Sequence, residues 1–207
     1  MQKFVSPITR KMIKKSLFTN SRTLSSQKSE VALLFSDVRN FSGFAQKHSP
    51  EIVVKVINIY LELQAHIVIK NSGSVDKFMG DQVMAVFEGR HSHTNLIKAA
   101  VEIQNTISDL NVQRKKQNEE ILNVGIGINI GAAVIGNIGS SERMDCTVVG
   151  DVVNITSRFC DVAKAGQIIT STELYSRIQP VYAASNLGTL KIKGRDELIE
   201  ICEIKFK

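Results

Sequence analysis

The stretch that most constrains this chain is Val75-Asp76-Lys77-Phe78-Met79-Gly80-Asp81-Gln82-Val83-Met84-Ala85-Val86-Phe87. Two short apolar-rich runs meet at Met79-Gly80, where glycine admits a backbone conformation that a side chain would oppose. The pattern predicts a β-hairpin. So apolar a hairpin nevertheless carries charge at its mouth, Lys77 on one side of the turn and Asp81 on the other. A second isolated aspartate, Asp37, ends another apolar run, Val31-Ala32-Leu33-Leu34-Phe35. Two carboxylates at the ends of core strands point to a divalent-metal site for phosphate chemistry.

At 207 residues and 43% hydrophobic content the chain can bury one sizeable core and carry an extension. The formal net charge of +6 is uneven. Residues 1–30 hold seven basic side chains (Lys3, Arg10, Lys11, Lys14, Lys15, Arg22, Lys28) against Glu30, which is 7 − 1 = +6, so the remainder is neutral. The pI of about 9.3 therefore belongs to a leader, which weakens the case for nucleic acid as a partner. Cys146, Cys160 and Cys202 form no CxxC pair and read as reduced thiols. No run approaches the roughly 20 apolar residues of a membrane span, and no signal peptide is recognisable. The expectation is a cytoplasmic chain with no direct membrane span.

Residues 3–18 suggest a short basic amphipathic helix, with Ser6 as cap and Pro7 in its first position. Its apolar face is short, so a connector is the plainer reading than membrane or nucleic-acid contact. Thr19 to Ser29 is polar and Ser-rich. Residues 1–29 are thus expected to be a basic connector and 30–207 the folded domain.

Within that domain Val31–Ser36 reads as a central strand, apolar on both faces. The turn through Arg39, Asn40 and Phe41 can offer backbone N–H groups to phosphate oxygens. Ser49-Pro50-Glu51 starts a helix that runs to Lys70, its length outweighing its β-branched content. The hairpin follows, then a helix capped by Thr94 or Asn95. Val124–Ile130 and Ala132–Gly136 read as two glycine-containing strands, and Asn137 to Met144 as a loop. Asp145–Asp151 leads into a helix carrying Asn154 and Arg158 at i and i+4 on one face. Gln167–Thr170, Leu187–Ile192 and Leu198–Phe206 are expected strands, and Ser171–Ile178 a short helix. The order gives an α+β fold with a ferredoxin-like βαββαβ core and additional C-terminal strands.

Singly, these signals are ambiguous: Lys77 could pair with Asp76 or Asp81 at the surface, and Asn154 with Arg158 could be an ordinary helix face. Together they could hold a metal-bound nucleoside triphosphate. The ordered motifs Phe35-Ser36-Asp37-Val38-Arg39-Asn40-Phe41-Ser42, Asp76-Lys77-Phe78-Met79-Gly80-Asp81, Gly125-Ile126-Gly127-Ile128, Gly136-Asn137-Ile138-Gly139, Met144 to Asp151 and Val153-Asn154-Ile155-Thr156-Ser157-Arg158 resemble those of the class III nucleotidyl cyclase catalytic domain. The resemblance covers about Val31 to Lys207 and is nearest to bacterial adenylate cyclases of the Lys/Thr subgroup.

The resemblance implies that Asp37 and Asp81, with the backbone carbonyl of Val38, bind two Mg²⁺ or Mn²⁺ ions per active site. It implies that Lys77 and Thr147 read the purine edge of ATP, the lysine donating to adenine N1 and the threonine accepting from the 6-amino group. Asn154 would orient the ribose, Arg158 would neutralise the α-phosphate in the transition state, and Arg195 and the Phe41 turn would contact substrate. Asn at position 40, where many members have Gly, tolerates left-handed backbone. The family works as a head-to-tail dimer, so a homodimer is implied, as is an upstream sensor domain. The alternatives are a guanylate or mixed-specificity cyclase, or a catalytically weak nucleotide-binding dimerisation module. An RNA-binding reading fares badly, because aromatic content is 6% and no stacking run is present.

Overall fold

The computed structural model describes residues 27–140, 142, 144–178, 181–192, 194 and 197–206. The N-terminal helix and most of the linker expected from the sequence lie outside the described residues, as does Arg195. Strand β1 (Gln27–Val38) is buried on both faces over residues 31–36, as its continuous apolar run requires. It begins three residues before the expected domain start, because Gln27, Lys28 and Ser29 pair with Ile135, Val134 and Ala133.

A short helix α1 (Phe41–Lys47) and the long helix α2 (Pro50–Lys70) follow. Then come β2 (Ser74–Met79), β3 (Gln82–Phe87) and α3 (Ser92–Lys116). Their hairpin turns at Gly80, whose φ of 67° lies in the left-handed region that favours glycine. The N-cap of helix α3 is His91, three residues ahead of Thr94 and four ahead of Asn95, the expected caps, and it makes no side-chain capping bond. β4 (Val124–Gly139), β5 (Met144–Val149) and α4 (Asp151–Val162) lead to β6 (Ile168–Ser171), α5 (Thr172–Arg177), β7 (Ala183–Lys191) and β8 (Leu198–Lys205). The sheet order is β2-β3-β1-β4-β6-β8-β7, with β5 paired to β4 alone. Its first four strands, with α2 and α3, form the ferredoxin-like core.

Two expectations need correction. The glycine-rich region is one 16-residue strand, not two, and it is followed by strand β5 where a loop and approach to a helix were read. Gly131 does not turn the chain. It leaves room for Val152, whose side chain would lie 3.0 Å from an added Cβ.

The alternation of β1 divides the interior. Ala32 and Leu34 pack with Tyr60, Ile67, Leu96 and Ile103 beneath α2 and α3, while Val31, Leu33 and Phe35 pack with Met84, Val148 and Val152 beneath β5 and α4. Among the described residues, α2 is long and apolar enough by length and composition to cross a membrane, where the sequence reading found no such run. In the fold Val56, Ile57, Tyr60, Ile67 and Val68 of this helix are buried in the domain. The Tyr60 hydroxyl donates to Asn111 Oδ1 at 2.7 Å and accepts from the Leu122 N–H at 3.0 Å, tying α2 to α3 and to the approach to β4.

Candidate active site

β1 ends on Asp37, opposite Gln82 across the antiparallel ladder to β3. That register brings Asp81, at the hairpin turn, beside the Asp37 carboxyl. Burial and the like charge of Asp81 push the Asp37 carboxyl up to about 6, while Arg39 pulls it down. Two carboxylates that repel each other, on rigid strand ends next to Val38, offer oxygen donors only. That chemistry fits a hard divalent cation. Among the described residues, no cluster of three or more His, Cys, Asp or Glu side chains could hold a metal, so the fit rests on this pair and the backbone.

The sequence alone assigns Arg39 no role. Its guanidinium pairs with Asp37 Oδ2, and its Nε–H donates to the Asp37 carbonyl at 3.1 Å. Nη1 reaches the carbonyls of Ala163 at 3.3 Å and Cys160 at 3.5 Å, at the C-terminal end of α4. Arg39 therefore ties the carboxylate-bearing strand end to that helix. The next residue, Asn40, has φ 60° and ψ 32°, the left-handed conformation expected of it, and opens α1. The Phe41 ring packs against the core and lies 6.3 Å from that of Phe44, so any substrate contact falls to the backbone of this turn.

The helix α4 carries Asn154 and Arg158, which with Ser157 and Ile192 line a cavity of 270 Å³. Arg158 is half-exposed and donates to Asp161 Oδ2 at 2.8 Å. What sets this helix on the sheet is glycine. A Cβ on Gly127 would lie 2.3 Å from Cys160 N and 2.6 Å from Thr156 O, so only glycine allows the helix backbone to lie directly on β4.

Lys77 and Thr147, far apart in sequence, meet on one carboxylate. The Thr147 hydroxyl donates to Asp76 Oδ2 at 2.7 Å, and Lys77 Nζ lies 3.5 Å from the same oxygen. Thr147 is held on β5 opposite Gly136 of β4 and keeps 8% of its surface exposed. The structure thus brings together Asp37 with Asp81, Lys77 with Thr147, and Asn154 with Arg158. Asp76 was recognised in the sequence only as one of two alternative surface partners for Lys77. A charged residue within an apolar strand was the available signal for more.

The adenylate and guanylate cyclase catalytic domain family model matches residues 24–202. The chain is 30% identical over 184 residues to the adenylate cyclase of Anabaena cylindrica, covering 84% of this chain and 36% of that protein. It spans well under half the length of the curated relatives it matches. Among solved structures, the adenylyl cyclase CyaB from P. aeruginosa superposes with a TM-score of 0.82 at 29% identity, covering 88% of this chain and 97% of that one. The guanylyl cyclase Cya2 superposes with a TM-score of 0.80 at 31% identity, covering 86% and 93%.

Proposed function

The chain belongs to the family of adenylate and guanylate cyclase catalytic domains, and from that membership we propose that it converts ATP to 3′,5′-cyclic AMP and pyrophosphate. The observation that carries this reading is the pairing of the Asp37–Asp81 carboxylates at one place with the Lys77–Thr147 pair at another. A strand-end acid pair suits metal-bound triphosphate, and a donor beside a hydroxyl suits the adenine edge.

Asp37, Asp81 and the Val38 carbonyl would hold two Mg²⁺ or Mn²⁺ ions, which when bound supply charge neutralisation on the triphosphate and acidify the ribose 3′-hydroxyl. Lys77 donates to adenine N1 and Thr147 accepts from the 6-amino group. Asn154 orients the ribose so that its 3′-oxygen faces the α-phosphorus in line with the departing pyrophosphate. Arg158 leaves Asp161 to meet the negative charge that grows on the α-phosphate, a contact of most value in the transition state. The backbone turn at Phe41 and the side chain of Arg195 take the phosphates.

Asp81 and Lys77 stand on one hairpin yet serve opposite ends of an extended nucleotide. A head-to-tail homodimer reconciles the two roles: the metal carboxylates of one protomer face the purine pair, Asn154 and Arg158 of its partner. In the full-length protein an upstream sensor domain would control this dimer.

Purified protein with Mn²⁺ or Mg²⁺ and ATP is expected to yield cyclic AMP, and Asp37→Ala or Arg158→Ala to abolish it. Product persisting in both variants would sink the assignment. The structural likeness to Cya2 keeps guanylate cyclase as the second reading; GTP turnover exceeding ATP turnover would favour it.

A further inference from the structure

Asp76 sits at an irregularity of the central hairpin. Pairing between β2 and β3 passes from Val75–Ala85 to Lys77–Met84, so Asp76 is the extra residue of a β-bulge. The bulge turns a carboxylate inward on a strand whose neighbours at 75 and 77 remain half-buried, and the Asp76 side chain is 0% exposed. Burying a charge this deeply is costly unless partners compensate it. Burial raises the Asp76 pKa, and the Thr147 hydroxyl and Lys77 ammonium pull it back down. Both partners converge on Oδ2, while Oδ1 is buried without a hydrogen-bond partner among the described residues. A group acting only as structural ballast would be expected to satisfy both oxygens. This one is aimed at the two side chains assigned to the purine.

A threonine hydroxyl can donate or accept, so alone it does not distinguish a 6-amino group from a 6-oxo group. In this structure its single hydrogen is committed at 2.7 Å to a carboxylate, a charge-assisted bond of the strong kind. Only lone pairs remain for the base edge. We propose that Asp76 is the positioning residue that sets purine preference, by fixing Thr147 as an obligate acceptor and steering the Lys77 ammonium beside it. The inference rests on the reading of Lys77 and Thr147 as the residues that face purine positions 1 and 6. Adenine meets the pair with an acceptor at N1 and a donor at its amino group. Guanine would meet it with N–H against the ammonium and a carbonyl against lone pairs, two mismatches. Removing Asp76 frees the hydroxyl to rotate and donate to the carbonyl, which relieves one of them.

The test is kcat/KM for ATP and for GTP in the wild-type chain, Asp76→Ala, Asp76→Asn, and Asp76→Ala in a Thr147→Val background. Asp76→Ala is expected to lower the ATP:GTP ratio by about tenfold or more, the scale on which a site rejects a mismatched hydrogen-bonding group. Asp76→Asn keeps an oxygen acceptor and should hold the ratio within about threefold of wild type. Without the Thr147 hydroxyl only the looser contact to Lys77 remains to be oriented, and the same Asp76→Ala change should move the ratio by less than about threefold. A merely structural residue would lower both activities together. A folded Asp76→Ala protein with an unchanged ratio overturns the inference while leaving the ATP reading intact; a wild-type chain that turns over neither nucleotide overturns both. If Asp76→Ala does not fold, Asp76→Leu, which refills the space, carries the same expectation. Failure of both to fold, with Asp76→Asn folded, marks Asp76 as structural and overturns the inference as well.

Discussion

Replacing Gly127 by alanine should separate the two halves of the site. The added Cβ would stand 2.3 Å from Cys160 N, 2.6 Å from Thr156 O and 2.8 Å from Phe159 C. All three are helix backbone atoms, so no rotamer change relieves the clash. Normal contact needs about 3.5 Å, which requires α4 to lift from the sheet by about 1 Å. The strand cannot yield instead, because Gly127 pairs with Phe35 on one side and Ile169 on the other. Overpacking of this kind costs about 1–3 kcal/mol, so a domain with an ordinary reserve of about 5–15 kcal/mol remains folded. The displaced helix carries Asn154 and Arg158, and a misplacement of about 1 Å at reacting groups costs on the order of 10²-fold in rate. The backbone of the Asp37–Asp81 pair stands on β1 and the hairpin and is not displaced with that helix, although the Arg39 fork to the Ala163 and Cys160 carbonyls is stretched.

The expected outcome is therefore a kcat lowered about 100-fold, a midpoint of urea unfolding that is reduced but cooperative, and a Mn²⁺-dependent thermal shift that survives. Gly131→Ala is the control: its Cβ would meet the Val152 side chain at 3.0 Å, and a side chain gives way more readily than backbone. It should cost less in both measurements. Wild-type stability and turnover in Gly127→Ala would refute the claim that glycine sets the helix; loss of the Mn²⁺ shift along with activity would refute the independence of the two halves.

Tyr60→Phe should destabilise the domain by about 1–3 kcal/mol in chemical denaturation, because Asn111 Oδ1 and the Leu122 N–H lose a buried partner. Turnover per folded molecule should stay unchanged. Burial pushes the Cys160 thiol up to about 12 and that of Cys202 up to about 11, so about a thousandth or less of either is thiolate at pH 8. Mass spectrometry after iodoacetamide should find both unmodified until denaturant is added; rapid labelling of either in the native protein would contradict their burial. Mixing inactive Asp81→Ala and Lys77→Ala chains should restore part of the activity. In a shared-site heterodimer both lesions fall in one site and leave the other intact. No recovery from confirmed heterodimers would count against the dimeric reading.

What the sequence made legible was whatever repeats locally. Continuous apolar runs disclosed β1 and the hairpin, and the Ser49-Pro50-Glu51 start with an uninterrupted length behind it disclosed α2 despite its β-branched content. The motif order pointed to the cyclase family, which the family match then established. What stayed hidden depends on partners distant in sequence. β5 reads as the approach to a helix because Asp145, Cys146 and Thr147 show no periodicity, and only pairing with residues 134–139 makes it a strand. The bulge at Asp76 appears only once β3 is laid beside β2.

Arg39 shows most plainly why local reading stops short. Beside Asp37 it looks like a neighbour's counter-charge, an exposed pair of little value. Its guanidinium is in fact a fork with one arm on Asp37 and the other on carbonyls more than 120 residues away, at the end of α4. Those carbonyls are among the last of the helix and carry its negative dipole end, and of the two Cys160 O also accepts the Ala163 N–H at the cap. One cation therefore answers two deficits, a carboxylate crowded by Asp81 and a helix end short of donors. Because a planar fork fixes direction as well as distance, it also fixes how the helix bearing Asn154 and Arg158 stands relative to the carboxylate-bearing strand end. A lysine at 39 would keep the charge and lose that geometry.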